Sequence, residues 1–307
     1  NSSLTMKIAA ITLTRNDDFR LVPWKMYFQE YKDELYEHIV VDNGSTPEYQ
    51  RKLREAFPDS THIELGYNGG CTGAYNAGIR HALQDSEIDA IMLIGNDVKI
   101  ERGGLTKLFV FLYSNNNYGM VGPVILKKDS TEVACFGMSF NPDTGIALPR
   151  YAHKPVTEIQ ERTIEGGYVP GGVCMAKPEF YGSIVGLQDE ALFLYGDERD
   201  MAHRIYKAGV KEAVTSEVRA WHQHINDNGA TNYIRFSSYL QGRNHVYLDK
   251  KHLTRRRAFA GLCKRMLFKM LYLARYFYKY EARMNVSYYI KGTFAGLKGN
   301  MDNNIQF

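Results

Sequence analysis

A chain of 307 residues with 44% hydrophobic and 23% charged side chains has the composition of an ordinary globular protein and the length of one large or two small domains. No run of about 18 apolar residues is present, which argues against a membrane-spanning helix. The first residues, NSSLTMKIAA, lack the basic region and cleavage site of a signal peptide, and the cysteines have no metal-ligand or disulfide-framework spacing. These features together predict a protein of a reducing, cytosolic compartment.

The net charge of +4 conceals a basic C-terminal segment. Residues 250–307 contain 13 Lys and Arg against Glu281 and Asp302, a local net charge of +11, which leaves −7 for the first 249 residues. Only this segment is therefore expected to seek an anionic surface. We accordingly predict two domains, a main body at residues 1–248 and a basic, aromatic-rich helical region at residues 249–307.

Apolar, β-branched runs alternate with helical patterns in the N-terminal part of the chain. Strands are predicted within KIAAITLT (7–14), EHIVVDNGS (37–45), THIELGY (61–67) and DAIMLIGND (89–97). Helices are predicted between them at residues 19–35, 47–57 and 72–86. This alternation predicts an α/β fold with a Rossmann-like, mostly parallel central sheet flanked by helices.

Polar residues follow each predicted strand. They are Thr14-Arg15-Asn16, Asp42-Asn43-Gly44-Ser45, Asn68-Gly69-Gly70 and Asn96-Asp97. In parallel sheets ligands bind beyond the carboxyl ends of the strands, so polar residues at four successive ends predict a binding site at one edge. Each group taken alone is equally typical of an ordinary turn.

The segment GYNGGCTGAYNAGI (66–79) is rich in glycine but lacks the common phosphate-binding fingerprints. A dinucleotide fingerprint needs its glycines directly after the first strand, and a P-loop needs a Lys followed by Ser or Thr. We interpret these glycines as a loop that brings backbone amides at a helix start close to anionic or polar ligand groups.

In this order and spacing, ITLTRND, VVDNGS, GYNGGCTGAYNAGI and LIGNDV resemble the nucleotide-sugar half of the family 2 glycosyltransferases, which have the GT-A fold. VPGGVCMAKPEFY, DEALFLYGDERDMAHRIYKAGVK and AWHQH are similar to the acceptor-side motifs of that family, and YLQGRNHVYL and YYIKGTFAGLKG look like C-terminal segments of its rhamnosyltransferase-like members. The resemblance implies a GT-A domain within residues 1–248, a helical C-terminal extension, and a metal-dependent, inverting hexosyltransferase.

The resemblance also implies roles for residues on the donor side. The nucleoside would be held by Thr14, Arg15 and Asp42. The loop that contains Asn68 and Gly70 would lie near the nucleotide and the sugar.

The family's Asp-x-Asp segment, which binds a divalent cation and the ribose, falls on Gly95-Asn96-Asp97, where Gly95 replaces the first acidic residue. The second metal contact maps to His222, with His224 as the rival ligand, although an imidazole simply hydrogen-bonded beside its neighbour Trp221 is the alternative for His222. One Asp, one His and a diphosphate would suffice to bind Mg²⁺ or Mn²⁺, because Mg²⁺ needs only one or two protein carboxylates. Its role would be to neutralise the departing diphosphate.

The segment YGDERDMAHRIYKAGVK predicts a helix with Asp197 as N-cap, Asp200 three residues later and Gly209 at its end. Glu198 has no comparable structural reason, and the resemblance places the general base there, with Asp197 beside it. A helix N-terminus lowers the pKa of a carboxyl group, so burial or neighbouring acids must offset this effect in a base.

A base on one side of the anomeric carbon and a metal-bound diphosphate on the other suit a single displacement with inversion. A retaining hydrolase needs two carboxylates facing each other, and consecutive helical positions do not provide them.

Residues 255–284 predict one basic amphipathic helix. Lys264, Arg265, Lys269, Arg275, Lys279 and Arg283 share one side of a helical wheel, and Leu262, Met266, Leu267, Met270, Leu271, Leu273, Phe277 and Met284 the other. Such a helix suits the surface of an anionic membrane, and packing on the main body or on a second subunit is the alternative. No base-reading motif accompanies the charges, so nucleic acid is not an expected partner.

Two functions from different classes remain. The first is an inverting glycosyltransferase that uses a UDP- or dTDP-linked sugar and a glycan or lipid-linked glycan acceptor in polysaccharide synthesis. It would be cytoplasmic and peripheral at the inner face of the cell membrane. The second, motivated by Gly95, is a catalytically silent nucleotide-sugar binding protein or assembly subunit.

Overall fold

The computed structural model describes residues 6–170, 172–223 and 231–305. Contacts divide the chain into two compact units. The first contains Asn1–Phe140, Ala147–Gln188 and Arg204–His224, and the second contains Asn141–Ile146, Asp189–His203 and Ile225–Phe307. The domain boundary at residue 248 stays a prediction. None of the described helices has the length and hydropathy of a membrane span.

The first unit is built around a ten-stranded sheet. Its strands are β1 (Ile8–Thr14), β2 (Glu37–Asp42), β3 (Thr61–Glu64), β4 (Ala90–Ile94), β5 (Val98–Ile100), β6 (Tyr118–Lys127), β7 (Val133–Cys135), β10 (Thr163–Glu165), β11 (Val173–Ala176) and β12 (Lys211–His222). Two further strands, β8 (Met138–Asn141) and β9 (Ile146–Pro149), form a small sheet of their own. The described residues form the α-helices α1 (Asp18–Tyr31), α2 (Pro47–Ala56), α3 (Gly70–Ala82), α4 (Gly104–Tyr113), α5 (Asp197–Ala208), α6 (Thr231–His252), α7 (Arg255–Tyr276) and α8 (Tyr280–Leu297).

The large sheet has the strand order β10-β12-β6-β11-β4-β1-β2-β3, with β5 also paired to β12 and β7 to β6. Strands β3, β2, β1 and β4 are parallel, as are β6 and β12, and β11 between these groups is antiparallel to its neighbours. The expected α/β fold with a mostly parallel central sheet is confirmed. Strands β1 and β4 read as continuous apolar runs because helices cover both faces of such a sheet.

The early elements agree with the sequence pattern. The four predicted strands are β1 to β4, and the three predicted helices are α1 to α3. Helix α2 begins where Thr46 accepts a hydrogen bond from the Tyr49 amide over 3.3 Å, with Pro47 at the first helical position. Trp24 of α1 and Tyr49 of α2 then pack on Val40 of β2. This packing fixes the helices that flank the carboxyl edge of the sheet.

The prediction of a single long C-terminal helix at residues 255–284 is wrong, because the structure has two helices there. Helix α7 ends at Tyr276 and α8 begins at Tyr280, so the cations at Lys279 and Arg283 do not share a helix with those of α7. The aromatic residues around the break have lower helix propensity than Leu or Lys. The Arg283 guanidinium donates a hydrogen bond to the Phe277 carbonyl over 2.6 Å, which satisfies an acceptor that the break exposes.

Helices α6 and α8 of the second unit approach each other through glycines. A β-carbon at Gly292 would lie 1.9 Å from the Tyr239 carbonyl oxygen, and one at Gly242 would lie 2.1 Å from the Tyr289 carbonyl oxygen. The obstructing atoms are backbone atoms, so no side-chain rotation could relieve the overlap. The close crossing of α6 and α8 therefore depends on these glycines.

Gly292→Ala is expected to destabilise the second unit by about 2–3 kcal/mol, because the two helices must separate to admit the methyl group. Gly73→Ala in α3 is the matched control, since a β-carbon there meets nothing within 4 Å, and it should be neutral or stabilising. Urea unfolding of both variants measures the effect. Equal stability of Gly292→Ala and wild type would contradict the close crossing.

Candidate active site

The carboxyl ends of three parallel strands bring the predicted donor-side residues together in the first unit. Thr14 and Asp42 are direct partners in the β1–β2 pairing, and the Asn43 amide donates to the Thr14 carbonyl over 2.9 Å. Asn96 and Asp97 follow β4, which pairs with the other side of β1. The predicted gathering of polar residues at this edge is therefore observed, whereas Arg15 lies exposed on the loop after β1.

Thr14 and Asn96 belong to one buried hydrogen-bond cluster. The Thr14 hydroxyl lies 2.6 Å from the Tyr49 hydroxyl, and the Asn96 amide donates to Asp17 over 2.9 Å and lies 3.5 Å from Thr14 Oγ1. Burial raises the pKa of Tyr49 to about 12, so this phenol stays protonated at neutral pH. The sequence pattern did not indicate Tyr49 or Asp17, because both act through contacts that only the fold creates.

The Asp42 carboxylate is buried and shapes the loop that follows β2. It accepts hydrogen bonds from the Ser45 amide at 3.2 Å to each oxygen and from the Gln50 side chain at 2.7 Å. These bonds hold the carboxylate in one orientation at the strand end. Asp42 is thus held in place by its neighbours, and side chains held in this way are suited to ligand recognition.

Asn43 ties the glycine loop to the end of β2. Its side-chain oxygen accepts from the Gly69 amide over 2.7 Å and its nitrogen donates to the Gly70 carbonyl over 3.1 Å, while Asn68 accepts from the Gly70 amide over 3.1 Å. Gly44 has φ +76°, and a β-carbon there would lie 2.5 Å from the Tyr67 backbone. The two loops therefore form one unit. The signal for Asn43 was present in VVDNGS, where only its neighbour Asp42 was assigned a role.

Strand pairing places Asp97 beside His222. Val98 of β5 is opposite His222 of β12, and the Gln223 amide donates to the Asp97 carbonyl over 2.7 Å. The Asp97 carboxylate lies 3.2 Å from His222 Nε2 and 4.0 Å from the Arg20 guanidinium. Its side chain is 14% exposed and that of His222 is 37% exposed, so both groups remain within reach of solvent.

Gly95 determines the space beneath Asp97. A β-carbon at Gly95 would lie 2.8 Å from an Asp97 carboxylate oxygen, so a larger residue would displace that side chain. The departure from the Asp-x-Asp pattern at Gly95 is thus coupled to the observed position of Asp97. An acidic residue at Gly95 would not simply add a second ligand.

The donor set fits a divalent cation only if other groups supply most of its ligands. Asp97 and His222 are adjacent, but the described residues contain no group of three or more His, Cys, Asp or Glu able to hold a metal ion. One carboxylate and one imidazole suit a cation that completes its shell with water and substrate phosphates. His224, the rival ligand, lies outside the described residues.

Asp197 and Glu198 belong to the second unit, at the start of α5. The helix begins at Asp197, so Asp197 is its first residue and Gly196, with φ +91°, precedes it; the N-cap assignment of Asp197 is wrong by one position. Glu198 lies in the first turn, as predicted, and Gly209 follows the last helical residue with φ +72°.

Asp200 is buried and is held by Lys251 and His252. One of its oxygens lies 2.7 Å from Lys251 Nζ and 2.7 Å from His252 Nε2. The His252 ring stacks on His203 with 4.3 Å between ring centroids. These contacts give Asp200 a structural role that anchors the first turn of α5.

Two carboxyl groups near this turn have opposite pKa shifts. Burial, with a smaller contribution from the Asp200 carboxylate, raises the pKa of Asp197. Burial also opposes ionisation of Asp189, but hydrogen bonds from Lys251 and Tyr247, each 2.7 Å long, outweigh it and lower the pKa of that group. For Asp197, desolvation thus overcomes the effect of the helix N-terminus.

Comparison with known sequences matches the profile described as Glycosyl transferase family 2 to residues 27–164. The chain is also 25% identical over 213 residues to the low-salt glycan biosynthesis hexosyltransferase Agl10 of Haloferax volcanii. That match covers 69% of this chain and 64% of Agl10, so it spans less than two thirds of the relative.

Several solved structures share the fold at low sequence identity. GalNAc-T7, determined with UDP, GalNAc and Mn²⁺, has a TM-score of 0.55 and 12% identity, covering 80% of this chain and 51% of that one. The mannosyltransferase PcManGT of Pyrobaculum calidifontis, in complex with GDP-Man and Mn²⁺, has a TM-score of 0.54 and 14% identity over 97% of this chain and 88% of its own. S. aureus TarS has a TM-score of 0.51 and 14% identity, covering 76% and 39%. These similarities confirm the GT-A fold.

The opposite pKa shifts of Asp197 and Asp189 predict opposite dependences of stability on pH. A raised pKa in the folded state favours the protonated carboxyl group, so the stability contributed by Asp197 is complete at acid pH and is lost as pH rises through its folded-state pKa. Asp197→Asn should therefore melt above wild type near about pH 7.5, and the difference should vanish toward about pH 4.

Asp189→Asn is the matched control. The pKa of Asp189 is lowered, so its stabilisation is present at neutral pH and is lost as pH falls through the folded-state pKa. This variant should melt below wild type at neutral pH and approach it in acid. Thermal unfolding across this pH range measures both, and an Asp197→Asn variant that melts lower than wild type at neutral pH would contradict the assignment.

Proposed function

We propose that this chain, whose residues 27–164 match the glycosyl transferase family 2 profile, moves a sugar from a nucleotide diphosphate sugar to a hydroxyl group of a glycan or lipid-linked glycan acceptor. The observation that carries this proposal is the convergence of Thr14, Asp42, Asn96 and Asp97 at the carboxyl edge of parallel strands. Open α/β sheets bind ligands at this edge. The name of Agl10 as a hexosyltransferase of glycan biosynthesis supports the same activity.

The donor is proposed to occupy the first unit. Thr14, Arg15 and Asp42 hold the nucleoside of a UDP- or dTDP-linked sugar, and the loop of Asn68 and Gly70 borders its diphosphate and sugar. The hydrogen bonds of Asn43 support this placement because they fix the loop at the start of α3, and the positive end of a helix dipole favours anionic groups.

Asp97 and His222 are proposed to bind a divalent cation, Mg²⁺ or Mn²⁺, with Asn96 beside them on the ribose. When bound, the cation neutralises negative charge on the departing nucleotide diphosphate. The distance of 3.2 Å between the two side chains supports this pair, and Arg20 adds positive charge next to Asp97. The related folds of GalNAc-T7 and PcManGT were determined with Mn²⁺.

Glu198 is proposed as the general base, with Asp197 next to it at the start of α5. Glu198 takes the proton of the acceptor hydroxyl as the hydroxyl oxygen bonds to the anomeric carbon. The bond between that carbon and the diphosphate oxygen breaks, and the nucleotide diphosphate leaves with the electron pair. One displacement inverts the configuration of the anomeric carbon. The contacts of buried Asp200 with Lys251 and His252 support Glu198 over this third carboxylate.

The second unit is proposed to contact a membrane peripherally, at the inner face of the cell membrane. None of the described side chains of α7 is buried, and the helix carries exposed apolar residues together with exposed cations. An apolar face flanked by Lys and Arg suits the boundary between lipid headgroups and acyl chains. A surface of this kind would bring the enzyme to a lipid-linked acceptor.

One observation favours the second candidate function, a silent nucleotide-sugar binding or assembly subunit. Gly95 stands where the family has an acidic residue, and the space it leaves is filled by the Asp97 side chain. A weaker cation site would lower transfer more than it lowers donor binding.

Glu198→Gln separates the two functions. The enzyme hypothesis predicts a loss of transfer of about 10²–10⁴-fold, since the base is removed, with nucleotide affinity unchanged. Glu190→Gln is the control, because Glu190 is an exposed glutamate of the same unit and loses the same charge. Transfer rates and nucleotide affinities are measured separately, and the anomeric configuration of the product is read by NMR.

Turnover of Glu198→Gln within about twofold of wild type would remove Glu198 from the mechanism. Nucleotide binding by wild type without transfer to any acceptor would favour the silent subunit. A product with retained configuration would contradict the single displacement.

A further inference from the structure

A cavity of about 430 Å³ lies among the three helices of the second unit. His245 of α6, Arg265 and Lys269 of α7, and Asn285 and Tyr289 of α8 line it. The cavity is thus open to solvent and is lined by basic, amide and aromatic groups, and no carboxylate is among its described lining residues. Such a lining suits an anionic group.

Lys269 is a partly buried cation whose contacts within the described residues are to neutral groups. Its ammonium donates to the Asn285 side-chain oxygen over 2.6 Å and lies 4.5 Å from the centre of the Tyr289 ring. No carboxylate of the described part of the chain forms an ion pair with it, and burial lowers its pKa. Burial disfavours the charged form of Lys269, and an anion bound in the cavity would stabilise that charge.

Arg265 adds further positive charge to the cavity one helical turn before Lys269 on α7. Its guanidinium and that of Arg199 share the carboxylate of Asp249, so two cations face one anion. The Arg265 Nε atom is buried and has no acceptor among the residues that the structure describes. Together with Lys269, the group has three cations and one carboxylate.

The outer surface of α7 indicates what kind of group would be attached to the anionic group in the cavity. Leu267 is 60% exposed, Phe268 59%, Met270 51% and Leu271 56%, and Phe268 also lines the cavity. An anionic group in the cavity would therefore adjoin an apolar surface. A molecule with a phosphate at one end and a hydrocarbon chain at the other matches both.

A second copy of this chain is a poorer occupant of the same surface. Residues 250–307 have a net charge of +11, so a symmetric contact through α7 would bring two strongly positive segments together. An anionic lipid surface gains from the same charge.

We infer that the cavity between α6, α7 and α8 binds the phosphate group of a membrane lipid, with Lys269 and Arg265 as its cationic contacts. This inference rests on the proposed membrane contact and not on the transfer reaction. It converts a general attraction to anionic lipid into recognition of one headgroup.

Lys269→Gln tests the site, and Lys264→Gln is its matched control. Lys264 is exposed on the same helix, 5.9 Å from the Phe268 ring, and is not among the cavity residues, so both variants lose one positive charge from α7. Lys269→Arg keeps the charge and should keep binding. Far-UV circular dichroism and the melting temperature without ligand establish that each variant is folded.

The first readout is the melting temperature in the presence of short-chain phosphatidic acid below its micellar concentration. The lipid is then monomeric, so no charged membrane surface contributes to binding. Wild type and Lys264→Gln should be stabilised by the lipid and Lys269→Gln should not, because a ligand raises the melting temperature only when it binds the folded state. Inorganic phosphate at the same concentration is the second probe and should give a smaller shift.

The second readout is sedimentation with phosphatidylcholine vesicles that contain about a quarter phosphatidic acid, compared with pure phosphatidylcholine. Wild type should bind the acidic vesicles, Lys264→Gln should lose about fivefold in affinity through general electrostatics, and Lys269→Gln should lose about 10–100-fold.

Equal losses in the two Gln variants would overturn the site and leave general attraction alone. An equal, Lys269-dependent shift with inorganic phosphate would replace the lipid by a free phosphate. Failure of wild type to bind acidic vesicles would overturn the membrane contact. The transfer reaction is tested separately on soluble acceptors, so none of these outcomes bears on the proposed transferase activity.

Discussion

The pairing of β5 with β12 is the constraint on which the candidate site depends. It brings the turn after β4 against the end of β12, and the hydrogen bond from the Gln223 amide to the Asp97 carbonyl closes the contact. Asp97 and His222 are far apart in the chain, yet this register sets their side chains 3.2 Å apart. Gly95 is part of the same arrangement, because only a residue without a β-carbon leaves the Asp97 carboxylate in its place. The turn that ends β4 is therefore also the place where we propose that a cation binds.

Local pattern in the sequence was sufficient for the α/β layer but not for the groups that hold the site. Apolar runs ending in Thr14 and Asp42 predicted strands β1 and β2 and the polar edge, because parallel strands place their ends together. Contacts of Tyr49 and Asn43 with that edge depend on how α2 and the glycine loop pack, which no local periodicity encodes. The general base stays a prediction from resemblance, since position in the first turn of α5 does not by itself define a role for Glu198.

The C-terminal part of the chain shows where helical periodicity misleads. A wheel drawn through residues 255–284 treats the segment as one helix, and no glycine or proline marks the break near Phe277. The close crossing of α6 and α8 instead depends on glycines whose backbone approach is a tertiary contact. The basic face inferred from the wheel is consequently divided: Lys269 and Arg265 line a cavity, whereas Lys264 is exposed to solvent. Charge that looked uniform in the sequence has two different environments in the fold.

The most direct test of the account is the thermal stability of the protein with UDP, dTDP, GDP and CDP, each with and without Mn²⁺ or Mg²⁺. A ligand that binds only the folded state raises the melting temperature. We predict that one nucleotide stabilises wild type, that the shift requires the cation, and that it disappears in Asp97→Ala. No shift with any nucleotide, or a shift that neither the cation nor Asp97→Ala alters, would contradict a cation-assisted donor site at this sheet edge.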